Sequence, residues 1–152
     1  MVWGCISDAG VGSLCFIERY MNEYMYLSIL KQNVLSSAEK IFLGQTTFTF
    51  QQDNDPKLTS KICQEWCLYH AKQQLHSPPQ SPDLNTIEYL WEEIGRELRK
   101  YDIKNKVELL SAIQDSWSNI SPETTTKKTL GSQTTTFERS YKDHRRTHRP
   151  LK

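Results

Sequence analysis

The sequence predicts an α/β domain in which strands and helices alternate, and three observations lead there. Residues 1–18 carry the pattern of a β-hairpin, and residues 22–41 carry a sustained helical period. After that, short β-branched segments alternate with apolar helical stripes up to about residue 117.

In the hairpin, Val2, Trp3, Cys5 and Ile6 form one strand and Leu14, Cys15, Phe16 and Ile17 the other. Ser7-Asp8-Ala9-Gly10, with Gly12, supplies the turn between them. In the first helix Leu27, Leu30, Val34 and Ala38 fall on one face, with Tyr26 and Leu35 beside them. From Thr46 or Thr47 to Gln52 the chain is β-branched or aromatic, with Phe48 and Phe50 on one side, so a strand ends at Asp53. Asn54-Asp55-Pro56 breaks the chain, and Thr59 or Ser60 caps a helix reaching about Gln73. A short strand is expected near Gln74–His76.

Ser77-Pro78-Pro79-Gln80-Ser81-Pro82-Asp83 reads as a stiff loop, because each proline fixes φ and withholds a donor. From Leu84 to about Lys100 the stripe Leu84, Ile87, Leu90, Trp91, Ile94 and Leu98 marks a longer helix, and Lys106–Trp117 a shorter one. Beyond Pro122 two threonine triplets flank a segment poor in apolar residues, so packing there is weakly specified. The expected division is a domain over 1–123 and a basic, threonine-rich tail over 124–152.

With 152 residues, the chain fits one domain with a real core but not two. No apolar run approaches the ~18 residues of a membrane helix, so no membrane partner is expected. The net charge of +1 conceals an asymmetry, since the tail from Lys127 onward carries +6 and the rest −5. An acidic body with a basic tail suits nucleic-acid contact, and equally a solvated end. Met1–Ile6 shows neither a basic leader nor a signal-peptide layout, so Cys5, Cys15, Cys63 and Cys67 are expected to stay reduced inside a cell. Cys63, Cys67 and His70 lie at i, i+4 and i+7, the spacing of a metal face. Interleaved Ile62, Trp66 and Tyr69 make core packing the expected role instead.

Two carboxylates carry the chemistry. Asp53 stands where a strand gives way to a loop, and Glu88 stands in the first turn of the helix after the proline loop. Converging there, they would offer hard oxygen ligands to Mg²⁺ or Mn²⁺. Taken singly, the Asp is a turn residue and the Glu a favourable partner for the helix dipole.

The flanking words go further. Val2-Trp3-Gly4, then Phe50-Gln51-Gln52-Asp53-Asn54-Asp55-Pro56-Lys57, then Ser81-Pro82-Asp83-Leu84-Asn85-Thr86-Ile87-Glu88-Tyr89-Leu90-Trp91 resemble, in order, the catalytic domain of Tc/mariner-superfamily DDE transposases. The 34 residues between Asp53 and Glu88 match the spacing of the Tc-type branch. The resemblance covers residues 1–123 well and 124–152 loosely. It implies an RNase H-like fold, a mixed sheet flanked by helices, with Asp53 and Glu88 as the second and third members of an Asp-Asp-Glu triad. In the family that triad holds two Mg²⁺ ions for cleavage at transposon ends and joining to target DNA. Asn54, Pro56 and the Ser81–Asn85 loop would shape the site, and Lys57 would contact phosphate or simply project from the loop. DNA is the implied partner, self-association a further one, and the nucleus the implied location.

Three departures matter. The family's first Asp lies on a strand upstream of Val-Trp-Gly, so the fold is expected to lack its central first strand. Asp8 is no replacement, because it sits in the hairpin turn. Leu58 stands where the family has His, and Thr86 where it has Pro. Without the first strand, either the hairpin pairs directly with the Asp53 strand or sheet edges are left open. Transposition by this chain alone is not expected, because the missing Asp is the ligand that bridges both ions. The other readings are a non-catalytic remnant acting as a DNA- or protein-binding module, and a product extended upstream that supplies the first Asp.

Overall fold

The computed structural model describes residues 1–41, 48–76, 86–129 and 134–138. The proline loop expected at 77–83, the capping residues Ser81–Asn85 and the basic segment 139–152 lie outside the described residues.

The hairpin forms as its alternation demands, β1 (Val2–Ser7) antiparallel to β2 (Gly10–Phe16). Gly10 closes it at φ +141, a conformation that side-chain-bearing residues rarely adopt. Residues 23–41 make one helical rod, α1 (Glu23–Ile29) and α2 (Leu35–Ile41) joined through a π-type turn at Leu30–Val34. Asn22 caps its start, its side-chain oxygen accepting from Met25 N at 2.9 Å. Then come β3 (Thr49–Gln52), α3 (Lys61–His70) and β4 (Gln73–His76). The helix α3 stops short of the expected Gln73 because Lys72 N donates to Phe48 O, which starts the pairing of β4 with β3. The helices α4 (Thr86–Leu98) and α5 (Lys106–Ser118) follow their apolar stripes. Asn105 and Glu108 cap α5 reciprocally, at 2.9 and 2.8 Å.

The tail departs from expectation. The helix α6 (Pro122–Thr129) runs across the expected boundary at residue 123, and β5 (Thr134–Glu138) enters the middle of the sheet. The strand order is β2-β1-β5-β3-β4. β5 runs antiparallel to β1, with Cys5 opposite Phe137, and parallel to β3, with Gln51 opposite Thr136. The hairpin therefore does not pair directly with the Asp53 strand, nor is the gap between them open. The place between β1 and β3 is taken by β5.

Both faces of the sheet are covered, which is why all six residues of β1 are buried. Alternation sends Trp3 and Cys5 to one face, against Tyr26, Leu30, Val34, Phe50, Cys63 and Trp66. Val2 and Ile6 go to the other, against Ile87, Leu90, Trp91, Ile94, Ile113 and Trp117. Gly4 lies beside the stacked Trp91 and Trp117 rings, whose centroids are 5.1 Å apart. A Cβ there would stand 2.7 Å from Trp117 Cη2 and 3.2 Å from Trp91 Cη2, so only glycine fits. The Val-Trp-Gly word is thus a packing requirement. Among the described residues no helix is long and apolar enough to cross a membrane.

Candidate active site

Asp53 follows the last residue of β3 and is half-buried, at the carboxyl end of the strand where the loop departs. Its Oδ1 accepts from Asn54 N at 2.8 Å. The preceding Gln52 is buried and locks the corner. Tyr26 Oη donates to Gln52 Oε1 at 2.7 Å, and Gln52 Nε2 donates to Leu58 O at 2.9 Å. One side chain therefore ties α1, the end of β3 and the following loop together. Burial pushes the Tyr26 hydroxyl well above its ordinary pKa, with the nearby Cys67, Cys63 and Asp53 adding to the rise, so it serves as a fixed donor.

Asp55 organises the rest of the loop. Its Oδ1 accepts from Lys57 N at 2.9 Å, and its carbonyl accepts from Leu58 N and Thr59 N. Leu58, standing where the family has His, is only 2% exposed and packs into the core with Phe50 and Cys63. An imidazole at that point would need a polar partner that this apolar packing does not offer.

Glu88 is exposed, in the first turn of α4, one residue after fully buried Ile87. The helix is positioned by its stripe Ile87, Leu90, Trp91, Ile94 and Leu98 and begins without a proline, at Thr86. The two predicted carboxylates thus sit on elements that meet through β5, which pairs with β3 and packs against α4. Asp8 lies in the hairpin turn, where its carbonyl accepts from Thr126 Oγ1, at 2.6 Å, and Thr125 Oγ1.

Of the Cys63–Cys67–His70 set, the two cysteines are built into the core and His70 is exposed. Cys63 Sγ lies 3.6 Å from Glu23 O and 3.9 Å from Lys57 O. Burial pushes the Cys67 thiol up to about 12, helped by Cys63. His70 stacks on Trp66 at 4.5 Å and bonds its carbonyl through Nδ1 at 2.8 Å. Among the described residues, no group of three or more His, Cys, Asp or Glu is arranged to hold a metal ion.

Comparison with known proteins bears on the whole arrangement. The chain is 40% identical over 120 residues to the Tcb2 transposase of Caenorhabditis briggsae, and 36% identical over 121 residues to the Tc1 transposase of Caenorhabditis elegans. Each match takes in 79% of this chain. The chain belongs to the Tc/mariner transposases. It spans 43% of the length of those relatives. The fold matches the catalytic domain of the Mos1 mariner transposase, with a TM-score of 0.71 at 18% identity, over 85% of this chain and 66% of that one. The RNase H-like architecture is thereby established for this Tc/mariner chain. No protein-family model matches it.

Sequence reasoning missed two parts of this Tc/mariner corner. Gln52 had no signal beyond its place in the motif. β5 had one, because Thr134-Thr135-Thr136-Phe137 is a β-branched run ending in an aromatic residue.

Proposed function

We propose that the chain is part of a transposase catalytic domain that acts on DNA, its chemistry being metal-dependent phosphodiester cleavage and strand transfer. The observation that carries this reading is the placement of Asp53. It follows the carboxyl end of β3, on a hydrogen-bonded corner, inside the stretch that resembles the Tc-type motif. Asp53 and Glu88 are the residues that would hold Mg²⁺ or Mn²⁺. The donor set fits such ions, because both are hard carboxylate oxygens and the nearby thiols are buried. Bound divalent ions would supply water activation and stabilisation of the leaving oxygen. The chain's own part is to present the carboxylates at fixed positions, Asp53 through Gln52 and Glu88 through the α4 stripe. The nucleus is the proposed location, with transposon-end and target DNA as partners and self-association between copies.

With two carboxylates on motif positions, metal binding by this chain alone is proposed to be weak and transposition absent. Titration with Mn²⁺, followed by electron paramagnetic resonance, and a nicking assay on supercoiled DNA test both halves. Weak binding abolished by Asp53→Asn, with no nicking, is the expected result. Robust divalent-dependent nicking that disappears in Asp53→Ala would overturn the inactivity while keeping the site. Ion binding unaffected by Asp53→Asn and by Glu88→Gln would sink the site itself.

A second reading is favoured by β5. A strand from the tail closes the sheet, so these residues build two covered faces and can serve as a non-catalytic DNA- or protein-binding module. The inner edge once expected to recruit a partner is occupied, which leaves the basic residues after Glu138 as the contact region. Deleting 139–152, and not 127–152, is the proper test, since the longer deletion removes the middle strand. Salt-dependent DNA binding that vanishes with 139–152 supports this reading, and unchanged binding rejects it.

A further inference from the structure

Beside the Asp53 loop lies an open concavity of about 350 Å³, walled by Tyr20, Tyr24, Pro56 and Lys57. We propose that it seats an unpaired nucleotide of the DNA strand led to Asp53, with Tyr24 as the stacking surface. The proposal rests on the DNA-processing reading above. Tyr20 and Tyr24 are 77% and 67% exposed, on a segment anchored by Met21, which is buried in the core, and by Asn22, which caps α1. Two large rings held in water on an anchored segment contribute little to folding. They are the kind of surface on which bases stack without regard to sequence.

The charges around the concavity narrow the occupant. Lys57 stands 4.3 Å over the Tyr20 ring and donates to its hydroxyl at 3.0 Å, placing a cation at the rim. Glu23 lies in the lining and disfavours a bare phosphate inside. A neutral base against Tyr24 and Pro56, with its phosphate toward Lys57, satisfies both. The seat is also rigidly coupled to Asp53. Cys63 Sγ contacts both Glu23 O and Lys57 O, pinning the two walls, while Tyr26 on the same helix bonds Gln52 next to Asp53. A base held there fixes the path of its strand relative to the carboxylate.

Fluorescence anisotropy on the full chain, without divalent ions, compares a blunt duplex with the same duplex carrying a short single-stranded overhang. The overhang should bind more tightly. Tyr24→Ala should weaken overhang binding by about 5- to 100-fold and leave the blunt duplex unchanged, whereas Tyr24→Phe should keep the preference. A 2-aminopurine in the overhang should be quenched by the native chain and not by Tyr24→Ala. Equal weakening of both DNAs, or none of either, overturns the proposal; so does an overhang preference that survives Tyr24→Ala. Asp53→Ala separates this seat from the metal site, because it should leave the overhang preference intact. Blunt-duplex binding without any overhang preference sinks the nucleotide seat alone, and no DNA binding at all sinks both it and the reading beneath it.

Discussion

The elements packed on the two faces of the sheet anchor the two carboxylates by different means. On one face Glu88 rides on α4, which is seated by apolar contact: Ile87, Leu90 and Ile94 with the stacked Trp91–Trp117 pair over Gly4. From the other face, Gln52, the residue before Asp53, is fixed by a chain of hydrogen bonds, Tyr26 to Gln52 to Leu58, set among buried thiols. Apolar packing is strong but tolerates sliding, whereas a buried hydrogen bond defines a distance. Glu88 is therefore placed by volume and Asp53 by geometry, so the two ligands should respond differently to perturbation.

The sharpest way to break the contrast is Trp117→Ala. It removes a fully buried ring that covers Gly4 and whose Nε1 donates to Gly12 O at 2.9 Å. A loss of about 3–5 kcal/mol is expected in urea unfolding. A cost under ~1 kcal/mol would mean that the Glu88 face is not set by packing.

Alkaline pH should strike the opposite face. Burial pushes Cys5 and Cys67 from 9.0 up to about 12, so the folded state keeps protons that the unfolded chain gives up. Their contribution is complete below pH 9 and is lost as pH rises toward 12, with an upper limit of ~4 kcal/mol per thiol. Unfolding measured at pH 8 and pH 11 should show this fall, reduced in the Cys5→Ala, Cys67→Ala double variant. An unchanged slope in that variant would rule out the thiols as its source.

The smallest effect expected is Tyr26→Phe, which removes one donor from Gln52 Oε1 in a buried corner. It should cost about 1–3 kcal/mol. Mn²⁺ affinity should fall with it, because the end of β3 is no longer pinned. An equal fall in Trp117→Phe, which keeps the packing, would erase the distinction between the faces.

Much of this fold is legible along the chain because its signals are local. The helix at 23–41, the strand reaching Gln52 and the α4 stripe each follow from period and capping. Asp53 and Glu88 were found because their motif is contiguous and their spacing countable. Gln52 looked like any other strand residue, since its role depends on Tyr26 lying 26 positions away. β5 read as a weakly specified tail because a threonine run buries little apolar surface unless a ladder already awaits it on both sides.

Sequence alone determined the element types and the Tc/mariner motifs. Tertiary structure decided which strand stands between β1 and β3. A sheet with unpaired backbone donors and acceptors at its middle is costly to bury, and Thr134–Glu138 satisfies them on both edges at once. Those pairings join residues 85 positions apart at β3 and 130 or more apart at β1, and no local pattern encodes them.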